Sequence, residues 1–143
     1  MTALAAFFGF SVLSLPILLA ASEPSFWRFL AEMGDVLALG MAALGSSIGI
    51  GMAGQAAAGA WAKEARAGRN LSFTYIILVG MPISQTLYAM IVMNNMRSVF
   101  ANMDVTVAEA GLLLGIGLST GMGEMLSAWM QGLIGAAGIR ALS

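Results

Sequence analysis

The 143-residue chain contains no cysteine and no histidine. Disulfides, thiolate chemistry, zinc sites of the usual ligand type and a histidine base are thereby excluded. Charge is scarce as well: six Lys and Arg against seven Asp and Glu give a net charge of −1, and only 9% of residues are charged. Ordinary soluble domains carry about 25% charged residues, so a soluble core under a polar coat is excluded. No large basic field exists, which argues against a nucleic-acid partner. No glycine-rich phosphate loop with a Gly-Lys-Ser/Thr ending is present, so the chain does no ATP chemistry on its own. Proline occurs three times, and Pro82 falls in the middle of an apolar run.

What is present is apolar. Hydrophobic residues make up 59% of the chain, and the mean hydropathy is +0.90. This is the composition of an integral membrane protein. Four apolar segments cover residues 3–21, 36–61, 71–93 and 110–139. Each reaches or nearly reaches the roughly 20 residues that cross a bilayer as a helix. Polar links at residues 22–35, 63–70 and 94–109 separate them. The expected fold is therefore an all-α membrane protein of antiparallel transmembrane hairpins, with four spans.

Charge placement orients these spans. The link at residues 63–70 holds Lys63, Arg66 and Arg69, and Arg140 follows the last span on the same side. The other side carries Arg28 and Arg97 among Glu23, Glu32, Asp35, Asp104 and Glu109. The positive-inside rule puts the basic loop and the C-terminus in the cytoplasm. The first segment, with Pro16 and the small-residue exit Leu19-Ala20-Ala21-Ser22, reads equally as a cleaved signal peptide or a retained extra helix. Phe26, Trp27 and Trp61 stand near span ends, as interfacial anchors do. The twelve methionines are flexible packing material rather than metal ligands.

Small residues recur every four positions in two spans. Gly111, Gly115, Ser119, Gly123 and Ser127 do so in the fourth, followed by Gln131 and Gly135; Gly45, Gly49, Ala53 and Ala57 do so in the second. Such spacing lets helix backbones approach closely in lipid and suits a tightly wound ring of many copies. A weak internal repeat places Gly45 on Gly123 and Gly54 on Gly132, with both helices running from outside to inside.

The polar cluster Met81-Pro82-Ile83-Ser84-Gln85-Thr86-Leu87-Tyr88 lies within the third span. Lipid satisfies none of its polar groups, and Pro82 removes one backbone donor and frees a carbonyl one turn back. Such a cluster persists where it faces protein, water or an ion, and it reads as part of an ion site. Glu124 is the one acid deep in a span, at a cost of about 2.5–3.5 kcal/mol on insertion scales. It precedes Gln131 by seven residues, about 10 Å along a helix axis, too far for one shared ion. It reads first as a protonated or water-bonded group and second as a coupling carboxylate.

Three motifs in order resemble the ring proteolipid of V-type and A-type ATPases, the component designated K or c. They are Ile48-Gly49-Ile50-Gly51-Met52-Ala53-Gly54-Gln55-Ala56-Ala57-Ala58-Gly59-Ala60, then the Met81–Tyr88 cluster, then Gln131-Gly132-Leu133-Ile134-Gly135-Ala136-Ala137-Gly138-Ile139. The resemblance covers about Asp35 to Ser143 and is strongest to bacterial, sodium-pumping members. It implies a division at residues 1–32 (signal peptide or extra helix with linker) and 33–143 (ring helices 1–3). It implies a homo-oligomeric rotor ring in a bacterial plasma membrane, turning against a static membrane component and joined to the central stalk. The cargo would be H⁺ or Na⁺, with no cofactor and no catalysis by the chain alone. Site residues follow by the same resemblance: the Ser84 hydroxyl, the Gln85 and Gln131 amide oxygens and the Met81 carbonyl as ligands, near the turn that Pro82 disturbs. Tyr88 would hold the ion-binding carboxylate closed. Neutral oxygens with about one negative charge are what a hard cation takes. That charge is the family's glutamate on a fourth ring helix, which does not follow Ser143 here, so the sequence is expected to be a fragment. An independent transporter using Glu124 and a non-translocating ring protein are the alternatives.

Overall fold

The computed structural model describes residues 26–101 and 104–143. These residues form four helical elements: α1 (Phe26–Arg66), α2 (Thr74–Gly80), α3 (Ile83–Phe100) and α4 (Val107–Leu142). The fold is all-α, as expected. The segment at residues 3–21 lies outside the described residues. Two helical stretches, Phe26–Arg66 and Thr74–Val99, are long and apolar enough to cross a bilayer. The expected span at residues 110–139 lies within one continuous helix, but glycines, serines and Glu124 dilute its hydropathy.

The first helix is longer than its expected span. Residues 26–35, read from sequence as part of a polar link, are helical, and no break marks the division between residues 32 and 33. The charges there are paired, with Asp35 buried and the other three half exposed. Arg28 Nε donates to Glu32 Oε1 one turn on at 3.0 Å, and Arg97 Nε donates to Asp35 Oδ2 from α3 at 2.6 Å. With 41 residues, α1 is about 60 Å long at 1.5 Å per residue, twice the hydrocarbon thickness of a bilayer. It therefore projects beyond the membrane.

Its other end is fixed locally. Gly68 takes φ +65°, Arg69 N–H donates to the Glu64 carbonyl and Gly68 N–H to the Ala65 carbonyl. This paired closure needs a left-handed residue, the conformation glycine adopts at least cost. Glu64, which the sequence does not single out, is buried. Its carboxylate accepts from Ser72 N–H at 2.9 Å and Tyr75 O–H at 2.8 Å, while Trp61 Nε1 donates to the Ser72 carbonyl at 2.9 Å. These donors, the Ser72 amide first and the Tyr75 hydroxyl second, hold the Glu64 carboxyl below its ordinary pKa. At the far end, Thr106 and Glu109 form a reciprocal capping box that starts α4.

α1 and α4 run parallel, and backbone meets backbone. A Cβ on Gly34, Gly45, Gly117 or Gly132 would collide with main-chain atoms of the facing helix. The contact line on α4 runs through Leu113, Gly117, Gly121, Ala128, Gly132 and Gly135. It is not the four-residue series read from sequence: Gly111, Gly115, Ser119 and Gly123 are exposed. The reason is geometric, because four residues turn 400°, so a strict i, i+4 series drifts about 40° per step around the helix. Gly49 packs directly on Gly132. The α1 series Gly45, Gly49, Ala53 and Ala57 is buried as expected, because α1 is covered by α4 on one side and by α2 and α3 on the next.

Candidate ion site at the helix break

Pro82 separates α2 from α3. Without an N–H it cannot donate to the Leu78 carbonyl, the bond an unbroken helix would make. Around the break the chain uses tighter bonds instead: Ser84 N–H to the Met81 carbonyl at 3.3 Å and Gln85 N–H to the Pro82 carbonyl at 3.4 Å. The freed Leu78 carbonyl faces Gly135 of α4, where a Cβ would lie only 2.7 Å from it. Glycine there brings α4 against the break.

α1 supplies the other support. Ser46 is buried, its hydroxyl donates to the Pro82 carbonyl at 2.6 Å, and it accepts from the Thr86 hydroxyl at 2.7 Å. Neither Ser46 nor Thr86 stands out in the sequence as a site residue. A hydroxyl among the small residues of α1 facing a span with an internal proline is the signal that marks it. One turn further, Gly49 touches both the Pro82 ring and the Ala128 carbonyl, so it lies between the break and α4.

The expected ligands divide as follows. Gln85 is 8% exposed on the first turn after Pro82. Gln131 lies one residue before Gly132, which packs on Gly49, so it stands at the level of the break. Its Oε1 is buried and has no hydrogen-bond partner. Ser84 is half-buried and spends its hydroxyl proton on the Met81 carbonyl at 2.9 Å, leaving its own lone pairs open. That same Met81 carbonyl also takes the Ser84 N–H, so both of its lone pairs are engaged. Tyr88 is 55% exposed and makes no hydrogen bond among the described residues. Glu124 is half-buried and unpaired among them, seven residues before Gln131 on α4. No group of three or more acidic side chains that could hold a metal ion occurs among the described residues.

The arrangement offers a cation several neutral oxygens beside a broken helix and holds no carboxylate of its own there. Such a set binds a cation well only when about one negative charge is added.

Residues 33–94 match the family model for the C-type subunits of ATP synthase. No curated protein and no solved structure matches the chain. The match takes in α1 from Met33, all of α2 and α3 as far as Asn94, which is less than half of the chain, and α4 lies outside it. The family is one of ion-translocating membrane proteins that form rings and are not catalytic alone. The hairpin around the Pro82 break is thus similar to the ring-forming C component of ATP synthases.

Proposed function

We propose that the chain is a rotor-ring proteolipid of a V-type ATPase or ATP synthase in a bacterial plasma membrane, and that it carries Na⁺. The observation that carries this reading is the Gln131 Oε1, a buried acceptor with no donor, at the level of the helix break. An unpaired buried polar atom costs about 1–3 kcal/mol. A bound cation would satisfy it.

Ser84 Oγ, the Gln85 amide oxygen and Gln131 Oε1 are the proposed ligands. The Met81 carbonyl joins them only by giving up the Ser84 hydroxyl bond. The negative charge comes from a carboxylate on an adjoining helix, and Tyr88, on the exposed face of α3, hydrogen-bonds that carboxylate. Several neutral oxygens favour Na⁺ over H⁺, since a proton needs the carboxylate alone. Ring neighbours would meet along the open glycines, Gly40, Gly51 and Gly54 of α1 and Gly111, Gly115 and Gly123 of α4, where nothing fills the space beside the backbone. The basic loop at residues 63–70 faces the cytoplasm and the central stalk.

The test is ²²Na⁺ uptake driven by ATP in vesicles holding the assembled ATPase. Gln131→Leu should abolish Na⁺ activation while the ring still assembles. Turnover that does not depend on Na⁺ and is indifferent to Gln131→Leu would sink the assignment of this site.

A further inference from the structure

At the end of the bundle away from the basic loop, a cavity of about 340 Å³ is lined by Arg28, Glu32, Asp35, Val36, Arg97 and Ala101. It is remote from the helix break and has no part in the ion site. Two guanidinium groups and two carboxylates border it, so its formal charges cancel. Both ion pairs are made through Nε: Arg28 Nε to Glu32 Oε1 and Arg97 Nε to Asp35 Oδ2. The terminal nitrogens of Arg97, whose side chain is half exposed, are therefore left to bind an anion.

The acidic side of the cavity has the opposite need. Asp35 is 2% exposed, yet its Oδ1 has no hydrogen-bond partner. A buried carboxylate oxygen without a donor is costly, and Asp35 is one of the residues that line the cavity. Glu32 commits only Oε1, and its Oε2 is open. The cavity thus asks for one ligand with an anionic group and, a few ångströms away, a cationic donor.

Its place in the fold says how such a ligand is delivered. Phe26 and Trp27, exposed aromatics at the start of α1, mark a membrane–water interface. Phe29, Met33 and Val36 are exposed along the helix below them and offer an apolar track for acyl chains. We propose that this cavity binds the headgroup of a zwitterionic phospholipid carrying a primary ammonium. The phosphate accepts from the Arg97 guanidinium, and the ammonium donates to Asp35 and Glu32. Planar guanidinium suits phosphate, and a primary ammonium has three N–H donors where a choline has none.

The test is native mass spectrometry of the detergent-solubilised full chain, in the oligomeric state in which it purifies. It is titrated with phosphatidylethanolamine, phosphatidylcholine and phosphatidylglycerol of matched acyl chains. One phosphatidylethanolamine per chain should be retained about tenfold more tightly than either competitor. Glu32→Gln, a change on a half-exposed side chain, should remove most of that preference. Arg97→Lys keeps the charge beside Asp35 and should weaken phosphatidylethanolamine and phosphatidylglycerol alike. Helical circular dichroism serves as the check that both variants fold. Equal retention of the three lipids, or an unchanged preference in folded Glu32→Gln, would overturn the proposal. Soluble phosphoethanolamine binding as tightly as the lipid would overturn the lipid as its source.

Discussion

Two glycines of α1, two residues apart, should respond in opposite directions to the same substitution. A Cβ at Gly49 would stand 2.9 and 3.0 Å from two carbons of the Pro82 ring and would strike the Ala128 carbonyl. Carbon atoms in good contact are about 3.5–4.0 Å apart. Neither a proline ring nor a main-chain carbonyl can rotate out of the way, so α1 must retreat by about half an ångström to one ångström. A retreat of that size forfeits roughly a quarter to a half of each affected contact's attraction. Overpacking of this kind costs about 1–3 kcal/mol, against which alanine's better helix propensity returns about 0.8–1.0 kcal/mol. Gly49→Ala should therefore destabilise the chain by up to about 2 kcal/mol. At Gly51 a Cβ would meet nothing within 4 Å, so only the propensity gain remains, about 0.8–1.0 kcal/mol of stabilisation. The assay is unfolding of the monomeric chain in mixed micelles, titrating dodecyl sulfate and following helical circular dichroism. Equal effects at the two positions, or a larger loss at Gly51, would refute the packing argument.

Other outcomes follow from the same geometry. Ser46→Ala should cost about 1 kcal/mol, because Thr86 can turn back and bond the Pro82 carbonyl four residues before it. A cycle with Thr86→Val should then show a coupling of about 0.5–1.5 kcal/mol in micelle unfolding, and simple additivity would disprove the shared bond. Gln131→Met should leave micelle stability unchanged or raised, since it removes an unpaired buried acceptor; a loss above about 1 kcal/mol would mean that Oε1 has a partner. Because Glu64 is held below its ordinary pKa of 4.5, its clasp on the loop is fully formed above that value and is lost as pH falls through the lower, folded one. Protection of the Ser72 amide against exchange, taken relative to its intrinsic rate at each pH and read in detergent, should fall below pH 4.5 in the wild type. In Glu64→Ala, which removes both acceptor oxygens, protection should be low throughout; wild-type protection free of any acid step in that window would remove the clasp.

The elements of the helix break are legible because their costs are visible in a string of letters. A proline, a serine and a glutamine inside an apolar run announce a break that something must satisfy, and Pro82, Ser84 and Gln85 lie there. Ser46 and Thr86 are not legible, because lone hydroxyls in apolar helices can return to their own backbone, as Ser47 does to Ala43. Only the fold shows that Ser46 faces another helix. The start of α1 is hidden for a related reason. Arg28, Glu32 and Asp35 look like a solvated link until Arg97, sixty-two residues away, is seen to pair with Asp35. The open glycines of α4 pass for its contact line because a count of four residues hides the angle between successive steps.

The meeting of α1 and α4 also has a mechanical consequence. Where backbones touch, no layer of side chains is left to change rotamer, and the two helices form a strut that is hard to bend or shear. Across residues 80–82 the opposite holds, since the ladder of backbone bonds is interrupted and the two halves of the hairpin's second arm are joined by a hinge. Ser46 and Gly49 clip that hinge to the strut. Load applied at the break is therefore taken up as a change of angle between α2 and α3, while the strut keeps its shape.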